Sequence, residues 1–139
     1  MSAPAADRLG TITKLMLGTE VLVTYLRARR TVRRLPLPEA LTQLRDRAFG
    51  RTEARGLGPG TPDRLARATQ RTLRMLPTDT RCLMQSLTLS ALLARRGSPS
   101  RLVIGVSPGE EFGAHAWVEL DGRPLLPPGG DTFQRLVEL

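Results

Sequence analysis

The hydrophobic patterning of the chain changes at Gly97. The segment before it predicts a helix with Thr78 or Asp79 as its N-cap, ending near Arg96, and apolar on nearly all sides. A helix of that kind is normally central and buried. The segments after Gly97 predict strands over residues 101–106 and 113–120. We therefore expect an α+β fold, in which N-terminal helices and a central helix pack on a small antiparallel sheet.

The end of the chain predicts a hairpin. Asp121-Gly122 is a strong signal for a two-residue turn, and it would join residues 113–120 to a third strand over residues 123–126. The run Pro127-Pro128-Gly129-Gly130 stops that strand. Residues 132–139 are expected to form only a short amphipathic tail.

The N-terminal half predicts three further helices separated by breaks: residues 9–30, a helix that starts near Pro38, and residues 62–75. The segment between Gly50 and Pro62 is rich in glycine and proline and is expected to be a loop or hinge. Residues 1–8 are expected to be a disordered tail. Residues 9–139 are then one domain, with a helical part (9–76) and a second part (77–139) that contains the central helix and the strands.

Positive charge is concentrated in the first part of the chain. Residues 1–81 hold 16 basic and 7 acidic residues, whereas residues 82–139 hold 5 and 6. Such a surface suits nucleic acid, membrane headgroups or an acidic protein, although a solvated basic face is the simpler explanation. The first helix is interrupted by Lys14 and Glu20, so we do not expect it to span a membrane.

The chain has one cysteine and one histidine, Cys82 and His115. Cys82 lies at the start of the central helix, where free N–H groups and the helix dipole favour a thiolate and can hold an oxyanion. His115 lies in a strand and can take and return a proton. The ordinary explanation is a buried, inert thiol and a core histidine. One cysteine excludes an internal disulfide and a cysteine-rich zinc site, and a single free thiol fits a reducing compartment. We expect a cytoplasmic location and no cofactor.

Three segments carry a family resemblance: residues 82–87, 102–106 and 114–122. Together they resemble the lasso-peptide maturation proteases, usually called the B or B2 protein, a transglutaminase-type family of cysteine peptidases. The resemblance covers residues 78–126 closely and the N-terminal helices loosely. Some members carry a fused leader-binding domain, and the chain resembles the stand-alone protease without one.

The resemblance implies a function and its partners. The protein would remove the leader from a ribosomally made precursor peptide, a separate leader-binding protein of the B1 type would deliver that substrate, and an ATP-dependent lasso cyclase would close the ring. We expect no nucleic-acid partner and no stable membrane insertion. Two alternatives stay open: a basic, non-enzymatic module that binds an acidic peptide, a protein partner or nucleic acid, and a transglutaminase-like acyltransferase or amidase.

The third catalytic residue is the departure from the family pattern. The family has an aspartate about a dozen positions after the histidine, where this chain has prolines. Counting outward from the hairpin turn places His115 opposite Pro128. We expect Asp131 to reach the imidazole from the following loop. The alternative is a dyad, in which Gln85 or a backbone carbonyl orients His115.

Two neighbours of the predicted site have structural and functional explanations. Trp117 shares the strand face of His115, so it can form a wall of the site or pack in the core. Ser86 lies one helical turn after Cys82, and we expect it to permit close packing rather than to act as a nucleophile.

Overall fold

Helices occupy the first two thirds of the chain and strands the last third. The computed structural model describes residues 3–49, 61–76, 82–107, 113–126 and 134–139. The helices are α1 (Ala3–Arg34), α2 (Leu37–Phe49), α3 (Thr61–Arg74) and α4 (Cys82–Arg95). The strands are β1 (Arg101–Ser107), β2 (Gly113–Leu120), β3 (Arg123–Pro124) and β4 (Gln134–Glu138). The α+β prediction is therefore confirmed.

The first helix is longer than the sequence predicts. α1 begins at Ala3, inside the segment expected to be a disordered tail, and it ends at Arg34 rather than at residue 30. Pro36 explains this end, because the residue before a proline is disfavoured in the helical conformation. α2 and α3 begin within a residue of their predicted starts. The predicted caps Thr78 and Asp79, and nearly all of the predicted loop, lie outside the described residues.

The helix α4 is the centre of the molecule, as its composition predicts. All nine residues from Ser86 to Ala94 are buried. One side of the helix packs on the sheet through Leu89 and Leu93, another on α2 through Leu87, and a third on α1 and α3 through Leu92. Burying a leucine side chain stabilises a fold by about 1.5–3 kcal/mol. This three-sided packing explains why α4 needs no polar face, and it fixes the helix end that carries Cys82.

The other end of α4 is closed as predicted by Gly97. This glycine has a φ of 74°, and its N–H donates to the carbonyl of Ala94 while the N–H of Ser98 donates to that of Leu93. These two bonds form a Schellman motif, which satisfies the last carbonyls of a helix. Arg96 follows at once and binds both carboxylate oxygens of Glu20 on α1, at 3.0 and 2.9 Å.

The sheet has four antiparallel strands in the order β3-β2-β1-β4. Gly105 on β1 pairs with His115 on β2 and with Arg135 on β4, so these three residues form one row across the sheet. The prediction of a short tail over residues 132–139 was therefore wrong, since most of it forms an edge strand. All five β4 residues are exposed, so burial imposes no alternating pattern on them.

The hairpin turn agrees with its prediction. Leu120 pairs with Arg123, and the two turn residues have positive φ angles, 52° at Asp121 and 78° at Gly122. These angles match a type I′ turn, which has the twist of its flanking strands. The third strand is shorter than predicted, since it ends at Pro124, although the N–H of Leu125 still donates to the carbonyl of Val118 at 2.8 Å.

The C-terminal residues are held against α2 and β1. Leu139 exchanges backbone hydrogen bonds with Leu102, and the guanidinium of Arg45 donates to the carbonyls of Ser100 and Leu139. Burial lowers the pKa of Arg45 from its ordinary value. Within the part of the chain that the structure describes, no helix combines the length and apolarity needed to cross a membrane.

Candidate active site

Cys82 is the first residue of α4, and its side chain is half-buried. The backbone N–H groups in the first turn of a helix have no carbonyl one turn earlier to bind, and the helix dipole concentrates positive potential there. The position therefore places a sulfur atom beside donors that can hold a developing negative charge. The sequence predicted Cys82 in the first turn, and the structure places it there.

The thiol contacts the sheet through a backbone hydrogen bond. The N–H of Ala116 on β2 donates to Sγ of Cys82 at 3.3 Å. Residues two apart on a strand direct their backbone groups to the same edge, so Ala116 and Val118 face the same side of β2. Leu125 of the hairpin binds Val118 there, and the sulfur of Cys82 binds the next position along.

The same contact brings the thiol beside His115. The peptide nitrogen of Ala116 is two covalent bonds from the Cα of His115, so Sγ lies within about 6 Å of that Cα. His115 is half-buried on β2. The one cysteine and the one histidine of the chain, 33 residues apart in sequence, are thus neighbours in the fold.

A network of side chains backs His115 on its own strand face. The ring of His115 stacks on Trp117, with centroids 6.1 Å apart and an interplanar angle of 24°. The indole N–H of Trp117 donates to Glu119 at 3.0 Å, and Arg135 binds both oxygens of that carboxylate at 2.6 and 3.1 Å. Hydrogen bonds to Glu138 and Glu119 raise the pKa of Arg135 above its ordinary value.

Trp117 was expected either to form a wall of the site or to pack in the core. Trp117 is only 4 % exposed and belongs to a core cluster, and its ring also stacks on that of His115. The core role is therefore confirmed, and the role as a wall of the site stays a prediction. Glu119 is buried and engaged by Trp117 and Arg135. Sequence reasoning missed Arg135, because its segment was not predicted to be a strand and so had no place beside Glu119.

Ser86 is fully buried one turn after Cys82. Its hydroxyl has no hydrogen-bond partner among the described residues, and the same holds for Ser90 a turn further along. A buried hydroxyl without such a partner agrees with a packing role. Gln85, the candidate for orienting His115 in a dyad, is half-buried on the first turn of α4.

The predicted third catalytic residue, Asp131, lies outside the described residues, as do Pro127 and Pro128. The observed pairing of Glu119 with Pro124 is the register from which the position opposite His115 was counted. The assignment of Asp131 stays a prediction.

The family of the chain follows from a comparison of its sequence with known protein families. A family model described as the Transglutaminase-like superfamily matches residues 21–138, a span that includes both Cys82 and His115. The chain belongs to the transglutaminase-like superfamily. Neither the curated proteins nor the solved structures include a significant match to it.

Membership in the transglutaminase-like superfamily indicates thiol chemistry of the cysteine-peptidase or acyltransferase type. The arrangement of this transglutaminase-like domain suits such chemistry. It has a thiol at a helix N-terminus, a histidine on the adjacent strand and a tryptophan that stacks on that histidine.

Proposed function

We propose that this protein is a cysteine peptidase that removes the leader from a ribosomally made lasso-peptide precursor. The observation that carries the proposal is the 3.3 Å contact between Cys82 Sγ and the N–H of Ala116, which brings the thiol beside His115. Membership in the transglutaminase-like superfamily supports thiol-dependent acyl transfer. The resemblance of residues 82–87, 102–106 and 114–122 to the lasso maturation proteases narrows this chemistry to leader cleavage.

In the proposed reaction, His115 takes the thiol proton and Cys82 Sγ attacks the carbonyl carbon of the peptide bond between leader and core. The carbonyl electron pair moves to oxygen, and the N–H groups at the start of α4 stabilise that oxyanion. The carbon–nitrogen bond then breaks, and His115 gives its proton to the leaving amine, the new N-terminus of the core. A water molecule, deprotonated by His115, hydrolyses the thioester and releases the leader as a carboxylate.

The proposal includes two protein partners. A separate leader-binding protein would deliver the precursor, and an ATP-dependent cyclase would use the new core N-terminus. An apolar stripe on α1 supports an association of this kind, because contiguous exposed apolar residues mark protein contacts. The stripe consists of Ile12, Leu15, Met16, Val23 and Leu26, which are 42–68 % exposed. We propose that the leader-binding protein docks on this apolar stripe.

The test is a cleavage reaction read by mass spectrometry. The chain is incubated with a lasso precursor and its leader-binding protein in water enriched in ¹⁸O. We expect free core peptide and a leader whose new carboxylate contains ¹⁸O, and neither product with Cys82→Ala. A leader that leaves as an amide when a primary amine is added would instead support the acyltransferase alternative. Cleavage that persists in Cys82→Ala would exclude thiol catalysis.

A further inference from the structure

A cavity of about 750 Å³ lies between α1, α2 and the C-terminal half of α4, away from the thiol. Four arginines line it, three from α1 and one from α4: Arg27, Arg30, Arg34 and Arg95. No aspartate or glutamate is among the described residues that line it. We call this cavity the arginine groove, and its lining gives it a strong positive potential.

The α1 arginines of the groove are available to a ligand. Arg27, Arg30 and Arg34 are exposed, and none of them forms an ion pair with a carboxylate in the described part of the chain. Arg95 is 3.6 Å from Glu20, whose carboxylate already binds Arg96 at 2.9 Å. The groove therefore holds at least three cationic groups that form no ion pair with a described carboxylate.

The shape of the groove fits an extended acidic peptide. Arg27, Arg30 and Arg34 follow one face of α1 over about 10 Å, since a helix rises about 1.5 Å per residue. In an extended peptide, side chains on one face recur about every 7 Å. Two or three acidic side chains at alternate positions of the peptide would therefore reach these arginines. Leu35 and Leu44 supply apolar surface for the residues between them.

A nucleic acid fits the groove less well. Single strands are generally bound by stacking bases on exposed aromatic rings. The two aromatic residues whose side chains the structure describes, Tyr25 and Trp117, are each 4 % exposed and belong to core clusters. The groove thus offers charge and apolar surface but no stacking surface among its described residues.

The groove is separated from the thiol by a fixed distance. Ala91 and Arg95 line the groove, and they lie nine and thirteen residues after Cys82 on the same helix. At about 1.5 Å per residue, this is about 14–20 Å along α4. An extended chain would need at least about four to six residues to cover that distance.

From these observations we infer that the arginine groove binds an acidic peptide segment in an extended conformation. Resting on the proposed function, we assign this segment to the precursor, at least about four residues from the bond that is cleaved. The groove is then a second substrate-binding site, remote from Cys82.

The groove is tested by binding, with no need for cleavage. The probe is a short fluorescein-labelled peptide that alternates glutamate with leucine, and its control replaces each glutamate with glutamine. The protein is the full chain with Cys82→Ala, read by fluorescence anisotropy. Replacing Arg27, Arg30 and Arg34 together with glutamine should weaken binding of the acidic probe by about tenfold or more, as expected for the loss of three partly exposed ion pairs.

The chain supplies a matched control for this variant. Arg64, Arg67 and Arg71 on α3 are exposed and have the same spacing as the groove arginines. Their replacement with glutamine removes the same charge outside the groove and should leave the affinity within about twofold. An equal loss from both triple variants would overturn the inference, since binding would then follow net charge alone. Circular dichroism shows whether either triple variant is misfolded. The single variant Arg30→Gln removes one groove arginine with less risk to the fold, and it should weaken binding of the acidic probe to a smaller extent.

Two further measurements identify the ligand and its source. A single-stranded oligonucleotide of the same charge should bind more weakly than the acidic peptide. Tighter binding of the oligonucleotide, lost in the groove variant, would favour nucleic acid and overturn the inference.

The unlabelled leader and the leader-binding protein are then tested separately as competitors of the acidic probe. Displacement by the leader supports the assignment to the precursor, and displacement only by the protein partner overturns it. If the acidic peptide binds in the groove but the wild-type chain cleaves no precursor, the proposed function is refuted and the groove inference stands.

Discussion

Arg135 on β4 binds both carboxylate oxygens of Glu119 on β2, although β1 lies between these strands. Arg135 pairs with Gly105 on β1, and its guanidinium crosses that strand to reach Glu119. Glu119 in turn accepts the indole N–H of Trp117, and Trp117 stacks on His115. An exposed residue at the sheet edge is thus linked through three contacts to the predicted catalytic imidazole.

The first prediction concerns Glu119. Glu119→Ala should lower the free energy of unfolding by about 1–3 kcal/mol, because the buried indole N–H of Trp117 loses its acceptor. Trp117 is the single tryptophan, so its fluorescence should change as well. Glu138→Ala removes the other acidic partner of Arg135 but contacts no indole, and it should leave both readouts nearly unchanged. Similar effects from the two variants would show that the indole contact is unimportant.

The second prediction concerns His115. His115→Ala should reduce the rate of leader cleavage by about 10²–10⁴-fold, since proton transfer to and from the imidazole is lost. Raising the pH should not restore the rate, because the leaving amine still needs a proton donor. Steady-state cleavage at several pH values, with precursor binding measured separately, checks this. Recovery at high pH would show that His115 acts only by deprotonating the thiol.

The third prediction concerns Asp131. Asp131→Asn should reduce the cleavage rate sharply while precursor binding persists, because a neutral amide can set the wrong imidazole tautomer. Gln85→Ala is the comparison, since Gln85 is the alternative orienting residue. If Asp131→Asn is fully active and Gln85→Ala is not, His115 is oriented from α4, and the aspartate of the family pattern has no counterpart at position 131.

The fourth prediction concerns the apolar stripe on α1. The isolated chain should cleave precursor slowly, and the leader-binding protein should accelerate it by raising the local substrate concentration. Leu15→Glu combined with Met16→Glu should abolish the acceleration and leave the slow basal rate. Met75→Glu is the control, because Met75 is 82 % exposed and lies just after α3 rather than on α1. Loss of acceleration in the control as well would place the contact elsewhere.

The fifth prediction concerns the buried hydroxyl groups of α4. Ser90→Ala should leave the protein as stable as before or more stable by up to about 1 kcal/mol, because alanine removes a buried hydroxyl that has no partner among the described residues. Ser86→Ala should behave in the same way and keep full cleavage activity. Thermal unfolding and the cleavage assay measure the two outcomes, and an inactive Ser86→Ala would contradict a packing role.

Local signals in the sequence were sufficient for much of the fold. Asp121 and Gly122 adopt the positive φ angles that their turn requires, and Gly97 ends α4 as predicted. Each of these features depends on a few adjacent residues. The central position of α4 was also predictable, since a helix without a polar face has to be covered on several sides.

The features that the sequence did not predict depend on contacts between distant segments. β4 exists because residues 134–138 pair with β1, and with every position exposed they have no buried face to reveal the strand. The hydrogen bond from Ala116 to Cys82 joins a helix start to a strand edge 34 residues away. Cys82 and His115 could be chosen from the sequence as chemically apt, but only the packing of α4 on β2 makes them neighbours.

The backbone amide of Ala116 is sensitive to the state of the thiol, because its N–H donates directly to Sγ of Cys82. In an isotope-labelled sample, the chemical shift and solvent-exchange rate of that amide would respond to whatever happens at the thiol, since a thioester or alkylated sulfur is a poorer acceptor. The backbone of β2 therefore contains a spectroscopic reporter of the chemical state of Cys82. With it, an acylated intermediate could be followed in solution without a label on the substrate.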